Sequence, residues 1–205
     1  LKNDNLYIKK TENEKLEFKT SFETPYPNKL LEEKINKEGK KFFELIGNKE
    51  RTIIYGTIKD VREFLQEKVV KAVVAMMNEG GGEVVIGINE KKNIKEIVGI
   101  DYDYRSSINN IDNYQLHIKR HIEKKIVDHI KYLGFFTTEI KKEKRKDICI
   151  IKCKNAKEAI WIKERVWSDK NNRSYKEVIP RRPAAETITL DGKKAFEYAA
   201  DRKNF

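Results

Sequence analysis

A chain of 205 residues that carries 44 Lys and Arg against 33 Asp and Glu, a formal net charge of +11, is long enough for one sizeable core, and its length favours a single domain. The positive excess points to a polyanionic partner, nucleic acid first, although with charged residues at 38% many lysines serve only to solvate the surface. No apolar run approaches the roughly 20 residues that span a bilayer, and no charged-then-apolar signal pattern opens the chain, so a soluble, cytoplasmic protein with no membrane partner is expected. The first residue is Leu1 rather than Met, as in a piece excised from something longer.

Taken in chain order, Leu16, Phe18 and Phe22 alternate with Glu17, Lys19 and Ser21. That is the period-2 signature of a half-buried strand, and its polar face sets an acid beside a base. Residues 23–56 hold Pro25 and Pro27, a charged helical pattern around Leu30, Ile35, Phe42, Phe43 and Ile46, and a hairpin-like segment near 53–58. They predict an insertion with short helices of its own. Over 59–77, Val61, Phe64, Leu65, Val69, Val70, Val73, Val74 and Met77 recur at helical spacing and predict a long amphipathic helix that becomes nearly all apolar. Asn78 and Gly80, Gly81 and Gly82 stop it in a tight turn, after which 83–88 reads as a buried strand rich in β-branched residues. A second apolar strand follows at 94–100.

Residues 109–130 predict another amphipathic helix, with Leu116, Ile118, Ile122, Ile126, Val127 and Ile130 apolar. Strands at 135–140 and 148–153 come next, joined by the basic run 141–146, then short strands near 159–162 and Trp167, a polar loop over 168–174 and a closing helix at 190–201. This order predicts an α+β fold, one mixed sheet packed with helices, in a single domain over residues 1–205 with an insertion at 23–56. Cys149 and Cys153 share one face of a strand, four residues apart and too far to bridge, so a reduced, buried pair is expected.

Three acids carry chemical interest. Mg2+ or Mn2+ takes several oxygen ligands, and phosphodiester cleavage gains from an ion that neutralises phosphate and acidifies water. Glu17 is fixed on the first strand, Glu90 ends the central one, and Glu12 reaches Glu17 only if the chain ahead of Leu16 curls back, because odd spacing along one strand sends side chains to opposite faces. In a chain with 33 acids such spacing also arises without function. Arg181 and Arg182 offer planar guanidinium groups suited to phosphate, or simply cover a strand end. Lys19 and Lys71 sit beside the acid motif and the glycine turn. Lys141, Lys142, Lys144, Arg145 and Lys146 have the usual look of a solvated hairpin tip, with phosphate binding the alternative. His117 and His121 stand at the i, i+4 spacing of zinc sites, with His129 two turns on, but no C-x-x-C accompanies them and zinc is not expected.

Read together, these segments resemble the Schlafen-type AlbA-like domain. That family carries E-x-x-x-x-E-F-K in a first strand, a helix ending A-F-x-N, an x-x-G-G turn and an apolar strand closing G-V-x-D. The matching residues are Glu12, Glu17, Phe18 and Lys19; Ala75 and Asn78; Gly81 and Gly82; and Gly87, Ile88 and Glu90. Val178 to Pro183, with Thr187 and Leu190, resembles its closing element. Departures are Glu90 where Asp is commoner, Asn13 in place of Ser, and Pro183 in place of Gly.

The resemblance implies a metal-dependent endoribonuclease cleaving structured RNA such as tRNA, with Glu12, Glu17 and Glu90 as catalytic Mg2+ or Mn2+ ligands. Lys19, Lys71, Asn78, Gly81, Gly82, Arg181 and Arg182 would then be nucleic-acid contacts. Many relatives are instead non-catalytic DNA- or RNA-binding modules of regulatory or defence proteins, and that is the alternative. Vertebrate Schlafen cores clasp RNA between two related lobes. With one lobe here, a homodimer is expected, its shared groove lined by Lys71 and Arg181.

Overall fold

The computed structural model describes residues 6–24, 41–46, 51–56, 58–91, 94–103, 110–166 and 174–203. In chain order it shows β1 (Leu16–Lys19), β2 (Lys41–Ile46), β3 (Arg51–Gly56), α1 (Ile58–Asn78), β4 (Gly82–Ile86), β5 (Ile88–Lys91), β6 (Ile94–Ile97), α2 (Ile111–Lys125), β7 (Phe136–Glu143), β8 (Lys146–Cys153), β9 (Ile162–Val166), β10 (Ser174–Arg181), β11 (Ile188–Leu190) and α3 (Gly192–Lys203).

The central sheet has strand order β1-β4-β8-β7. β1 pairs with β4 in parallel, Glu17 beside Val84 and Lys19 beside Ile86, while β8 runs antiparallel to both of its neighbours. The parallel pair needs a crossover, and α1 supplies it. Where one mixed sheet was expected, the described strands form that mixed sheet plus a separate three-stranded sheet, β11-β10-β9, and two hairpins, β2-β3 and β5-β6.

Side-chain alternation gives the central sheet two dry faces. Val84, Ile86, Cys149, Ile151 and Cys153 point toward α1 and α2, where they meet Val69, Val70, Val73, Met76, Met77, Tyr114, Ile118 and Ile122. Leu16, Phe18, Val85, Ile148 and Ile150 point the other way and are covered by Tyr7, Ile8, Ile88 and Ile97. The C-terminal half of α1 is buried all round, every residue from Ala72 to Met77 having no exposure. Each fully buried Val or Met there stabilises the fold by about 1.5–3 kcal/mol. That explains why the apolar stripe of this helix widens toward its end.

Several expectations shift. β1 stops at Lys19, so Phe22 falls into the helix-side core rather than beside Leu16 and Phe18. Phe42, Phe43 and Ile46, expected in a helix, belong to β2, which pairs with β3 in a hairpin. Leu30, Ile35, Trp167 and most of the expected polar loop lie outside the described residues. α2 ends at Lys125 instead of continuing to Ile130, because Ile126 turns extended, Asp128 takes φ 55°, and the Val127 N–H leaves the helix to donate to Trp161 O at 2.9 Å. β8 matches its expectation. Both cysteines are free and buried, and burial pushes the Cys149 thiol up to about 12 and raises Cys153 as well, so neither is a nucleophile at neutral pH. Among the described residues no helix is long and apolar enough to cross a membrane.

Candidate nucleic-acid interface and acid corner

β1 is an edge strand with β4 on one side only, so its outer backbone groups need other partners. The preceding residues supply them by turning back. Asn13 and Leu16 exchange backbone hydrogen bonds of 3.0 and 3.3 Å, and the Asn13 side chain accepts the Lys15 N–H at 2.8 Å, a local turn typical of Asn. The reversal returns Glu12 to the strand, where its carboxylate accepts the Phe18 N–H at 2.5 Å. This is the curl that the odd spacing required. Burial pushes the Glu12 carboxyl up, the Phe18 N–H and Lys19 draw it down, and the nearby carboxylates of Glu17 and Glu90 push it up again; the net effect is upward. Glu17 and Glu90 stand near enough to Glu12 to raise its carboxyl, so the three expected acids share one corner.

Glu17 is only 6% exposed and is held on both oxygens. Lys19 takes Oε1, while Arg182 Nη1 donates to Oε2 at 2.6 Å and Thr187 Oγ1 donates to the same oxygen at 2.9 Å. Burial pushes Glu17 up, but Lys19 and Arg182 outweigh it and the carboxyl ends below its ordinary range. Arg182, 1% exposed, arrives from the end of β10 and also donates to Asn13 O at 3.0 Å and Leu16 O at 3.3 Å. It therefore caps the edge of β1 while neutralising its acid.

Glu90 on β5 faces Lys95 of β6 at 3.7 Å through Oε1; its Oε2 is buried and finds no donor among the described residues. Lys95 in turn donates to Lys10 O and lies 5.3 Å from the Phe18 ring centre. Among the described residues no three His, Cys, Asp or Glu side chains form a ready-made cage for an ion. The chemistry of the corner nonetheless suits a hard divalent cation, since its donors are carboxylate oxygens and Glu90 Oε2 has no hydrogen-bond donor among the described residues. Glu12 and Glu90 would be the donors of the kind such an ion takes. Glu17 joins them only by releasing one of its cations.

The other expected contacts lie elsewhere. Lys71 on α1 pairs with Glu164 of β9. Arg181 Nε donates to Glu79 at 2.5 Å, and the guanidinium lies 4.3 Å from the Tyr198 ring centre. Asn78 is fully buried; its side chain accepts the Ile160 N–H at 2.8 Å and donates to Ile160 O and Pro180 O at 3.1 and 2.9 Å, fastening the end of α1 to β10. Gly81 and Gly82 line an open cleft with Lys10, Lys15 and Lys154. His117 bonds to Glu23 at 3.1 Å. Burial lowers His121 to about 4, with Lys125 and His117 adding to the effect.

The basic run that has the look of a solvated hairpin turn in the sequence forms the β7–β8 tip. Lys142, Lys144, Arg145 and Lys146 are exposed, and none has a carboxylate partner among the described residues. Lys144 and Arg145 make the turn at φ 46° and 70°. The intervening Glu143 is buried and spent on the backbone N–H groups of Tyr7 and Ile8 at 2.9 and 2.8 Å. That clip places the turn Tyr7–Lys9, with Lys9 and Lys10, against the tip, and Lys95 continues the series to Glu90. The run of like charges was visible in the sequence. The removal of its one acid by a backbone 135 residues away was not.

Fold and site together are a mixed sheet backed by helices, with a glycine turn between crossover helix and central strand and an acid corner fringed by lysine. The Schlafen, AlbA_2 family model matches residues 12–183, and the chain belongs to that family. Among solved structures it is similar to the DIP2311 protein from Corynebacterium diphtheriae, at 16% identity and a TM-score of 0.43, over 90% of this chain and 23% of that one. The chain thus spans less than a quarter of that protein's length. No curated protein matches it.

Proposed function

We propose that this chain binds nucleic acid, RNA foremost, along the basic series that runs from the β7–β8 tip through Lys9 and Lys10 toward the acid corner. The tip carries this reading: four exposed cations stand together, and the acid among them is spent on the backbone. Such ammonium and guanidinium groups displace counterions from phosphates, so affinity falls with the logarithm of salt concentration. Fluorescence anisotropy with labelled RNA and DNA at several salt concentrations tests it. The double variant Lys144→Gln, Arg145→Gln should flatten the slope by about 0.7 per lost contact on single strands. Affinity that ignores salt, or no affinity, sinks the reading.

A second reading is favoured by Glu90, whose buried Oε2 has no donor among the described residues and which lies near Glu12, a carboxyl that burial above all pushes up. In it the domain is a metal-dependent endoribonuclease acting on structured RNA such as tRNA. A bound Mg2+ or Mn2+ would supply charge neutralisation at the phosphate and an acidified water. Glu12 and Glu90 would hold it, Glu17 would join on giving up Lys19, and Lys19 and Lys95 would orient the phosphate. Incubating mixed cellular RNA with Mn2+ and wild type, Glu17→Gln or Glu90→Gln protein is the test; RNA left intact by the wild type rejects cleavage and leaves binding standing. Pairing of two copies into a shared groove belongs to the same proposal. Light scattering that returns one chain's mass, free and RNA-bound, would remove it.

A further inference from the structure

The acid corner occupies one end of β1. At the other end, a cleft of about 650 Å³ opens between the turn before β1, the glycine turn after α1 and the end of β8, lined by Lys10, Asn13, Lys15, Gly80–Gly82, Glu83, Lys154 and Asn155 among others. We propose that this cleft takes one phosphate group of a nucleic-acid strand, a subsite beside the acid corner. The proposal rests on the nucleic-acid reading above and specifies where a second phosphate sits.

The charges in the cleft do not balance. Three ammonium groups face one carboxylate, and that carboxylate, Glu83, already accepts the Tyr7 hydroxyl at 2.9 Å. Lys15 reaches across to a backbone carbonyl, Glu79 O, Lys10 lies 4.2 Å from the centre of the Tyr7 ring, and exposed Lys154 has no carboxylate partner among the described residues. None of the three is neutralised by an acid. A lysine resting on a carbonyl or an aromatic face gives up less in moving to a phosphate than one leaving a carboxylate, since hydrogen bonds between two ions are roughly twice as strong as neutral ones.

The walls suit close approach of an anion. Gly80, Gly81 and Gly82 carry no side chains, so backbone forms that side of the cleft. Asn155 accepts the Gly80 N–H at 3.0 Å through its side-chain oxygen, which leaves its amide NH2 as a neutral donor. Position links the cleft to the corner. Leu16 lines the cleft and the Phe18 N–H holds Glu12, two residues or about 7 Å along the strand, comparable with the step between neighbouring phosphates of an extended strand. Asn13 belongs to both places, lining the cleft while its carbonyl accepts Arg182 Nε.

The test separates this cleft from the basic tip. Inorganic phosphate is titrated into 15N-labelled protein at low salt, and two RNA hexamers, one 5′-phosphorylated and one with a 5′-hydroxyl, are titrated in EDTA so that cleavage plays no part. Phosphate should shift the amides of Gly80, Gly81, Gly82 and Asn155 saturably in the wild type and not in Lys15→Gln, Lys154→Gln. A terminal monoester in the cleft makes the phosphorylated hexamer bind about tenfold tighter, an advantage lost in the double variant; an internal diester makes both hexamers bind alike and weaken alike in that variant. Hexamers that bind without moving these amides, or phosphate shifts that persist in the double variant, overturn the cleft and leave the tip intact. Cleft shifts with phosphate while no hexamer binds would sink the wider reading instead.

Discussion

The two ends of β1 manage charge in opposite ways. At the acid corner every cation is committed: Lys19 and Arg182 hold Glu17, and Lys95 faces Glu90. In the glycine cleft three lysines share one carboxylate that is already hydrogen-bonded. A net charge of +11 therefore says little about where a polyanion would land. Cations beside buried acids serve the fold, whereas those beside carbonyls, aromatic faces and backbone turns remain available to a ligand. The same contrast explains why Arg182 and Lys71, attractive as phosphate contacts in the sequence, are engaged within the protein, while Lys154 and the β7–β8 tip are not.

The sharpest way to break this contrast is to remove the buried cation. Arg182→Met leaves Glu17 buried beside Lys19 alone and strips donors from Asn13 O and Leu16 O. Breaking a buried pair from one side costs about 3–5 kcal/mol, so the urea midpoint should fall accordingly. The double variant Arg182→Met, Glu17→Gln should recover part of the loss. An Arg182→Met protein as stable as wild type would show that the corner is not held by this pair.

A second buried carboxylate sharpens the comparison because it has no cation among the described residues. Asp103, fully buried, accepts the Phe22, Glu23 and Thr24 N–H groups and the Tyr114 hydroxyl. Burial pushes it up to about 6 although these donors pull the other way. The folded state therefore takes up the proton first, and the stability from this group is fully present below its ordinary value and declines as pH rises toward 6. Glu17 has the opposite sign: its contribution is present above the ordinary carboxyl range and is lost as pH falls through its depressed value. Comparing urea midpoints of wild type and Asp103→Asn, the difference should shift against the wild type by about 2–3 kcal/mol between pH 4 and pH 6.5. Carboxyl carbon shifts that place Asp103 near 4 would refute it.

Gly81 tests the cleft's backbone wall. At φ 82° a Cβ there would stand 2.7 Å from Cys153 O, while Gly134, at φ 79°, has nothing within 4 Å of the same added atom. Gly81→Ala should cost about 1–3 kcal/mol more than an unstrained substitution, and Gly134→Ala less, so the difference in thermal midpoint isolates close approach from backbone strain. Equal midpoints would mean that the turn relaxes freely.

What the sequence disclosed follows the range of the interactions. The long helix, the glycine turn and the buried cysteines depend on periodicity or on a few neighbouring residues, and each was legible; the return of Glu12 toward Glu17 entered only as a condition that the odd spacing set. The end of α2 was not, because it is set by Trp161 O and the approach of β9, more than thirty residues on. Phe22 was misplaced for want of a visible break after Lys19, and Phe42 and Phe43 fit a helical stripe as well as a strand. In the site, the resemblance gathered the acids, but the pairing of Arg182 with Glu17 spans 165 residues and turns an apparent ligand contact into an internal one.

The smallest expected effect decides what the corner is for. Glu90→Gln removes a charge from the carboxylate whose Oε2 has no donor among the described residues and leaves Lys95 less tightly held, so stability should change by less than about 1 kcal/mol, as for a partly exposed ion pair. Nucleic-acid affinity separates the readings. If the corner only repels phosphate, removing one negative charge should raise affinity a few-fold at low salt, and the gain should fade as the Debye length shrinks from roughly 30 Å at 0.01 M to 3 Å at 1 M. If the corner holds a divalent ion, the variant should lose Mn2+ binding by calorimetry and RNA cleavage with it, while affinity in EDTA still rises. Wild-type protein that takes up no Mn2+, together with a variant that binds RNA more tightly, would leave the corner as a fold element that limits affinity.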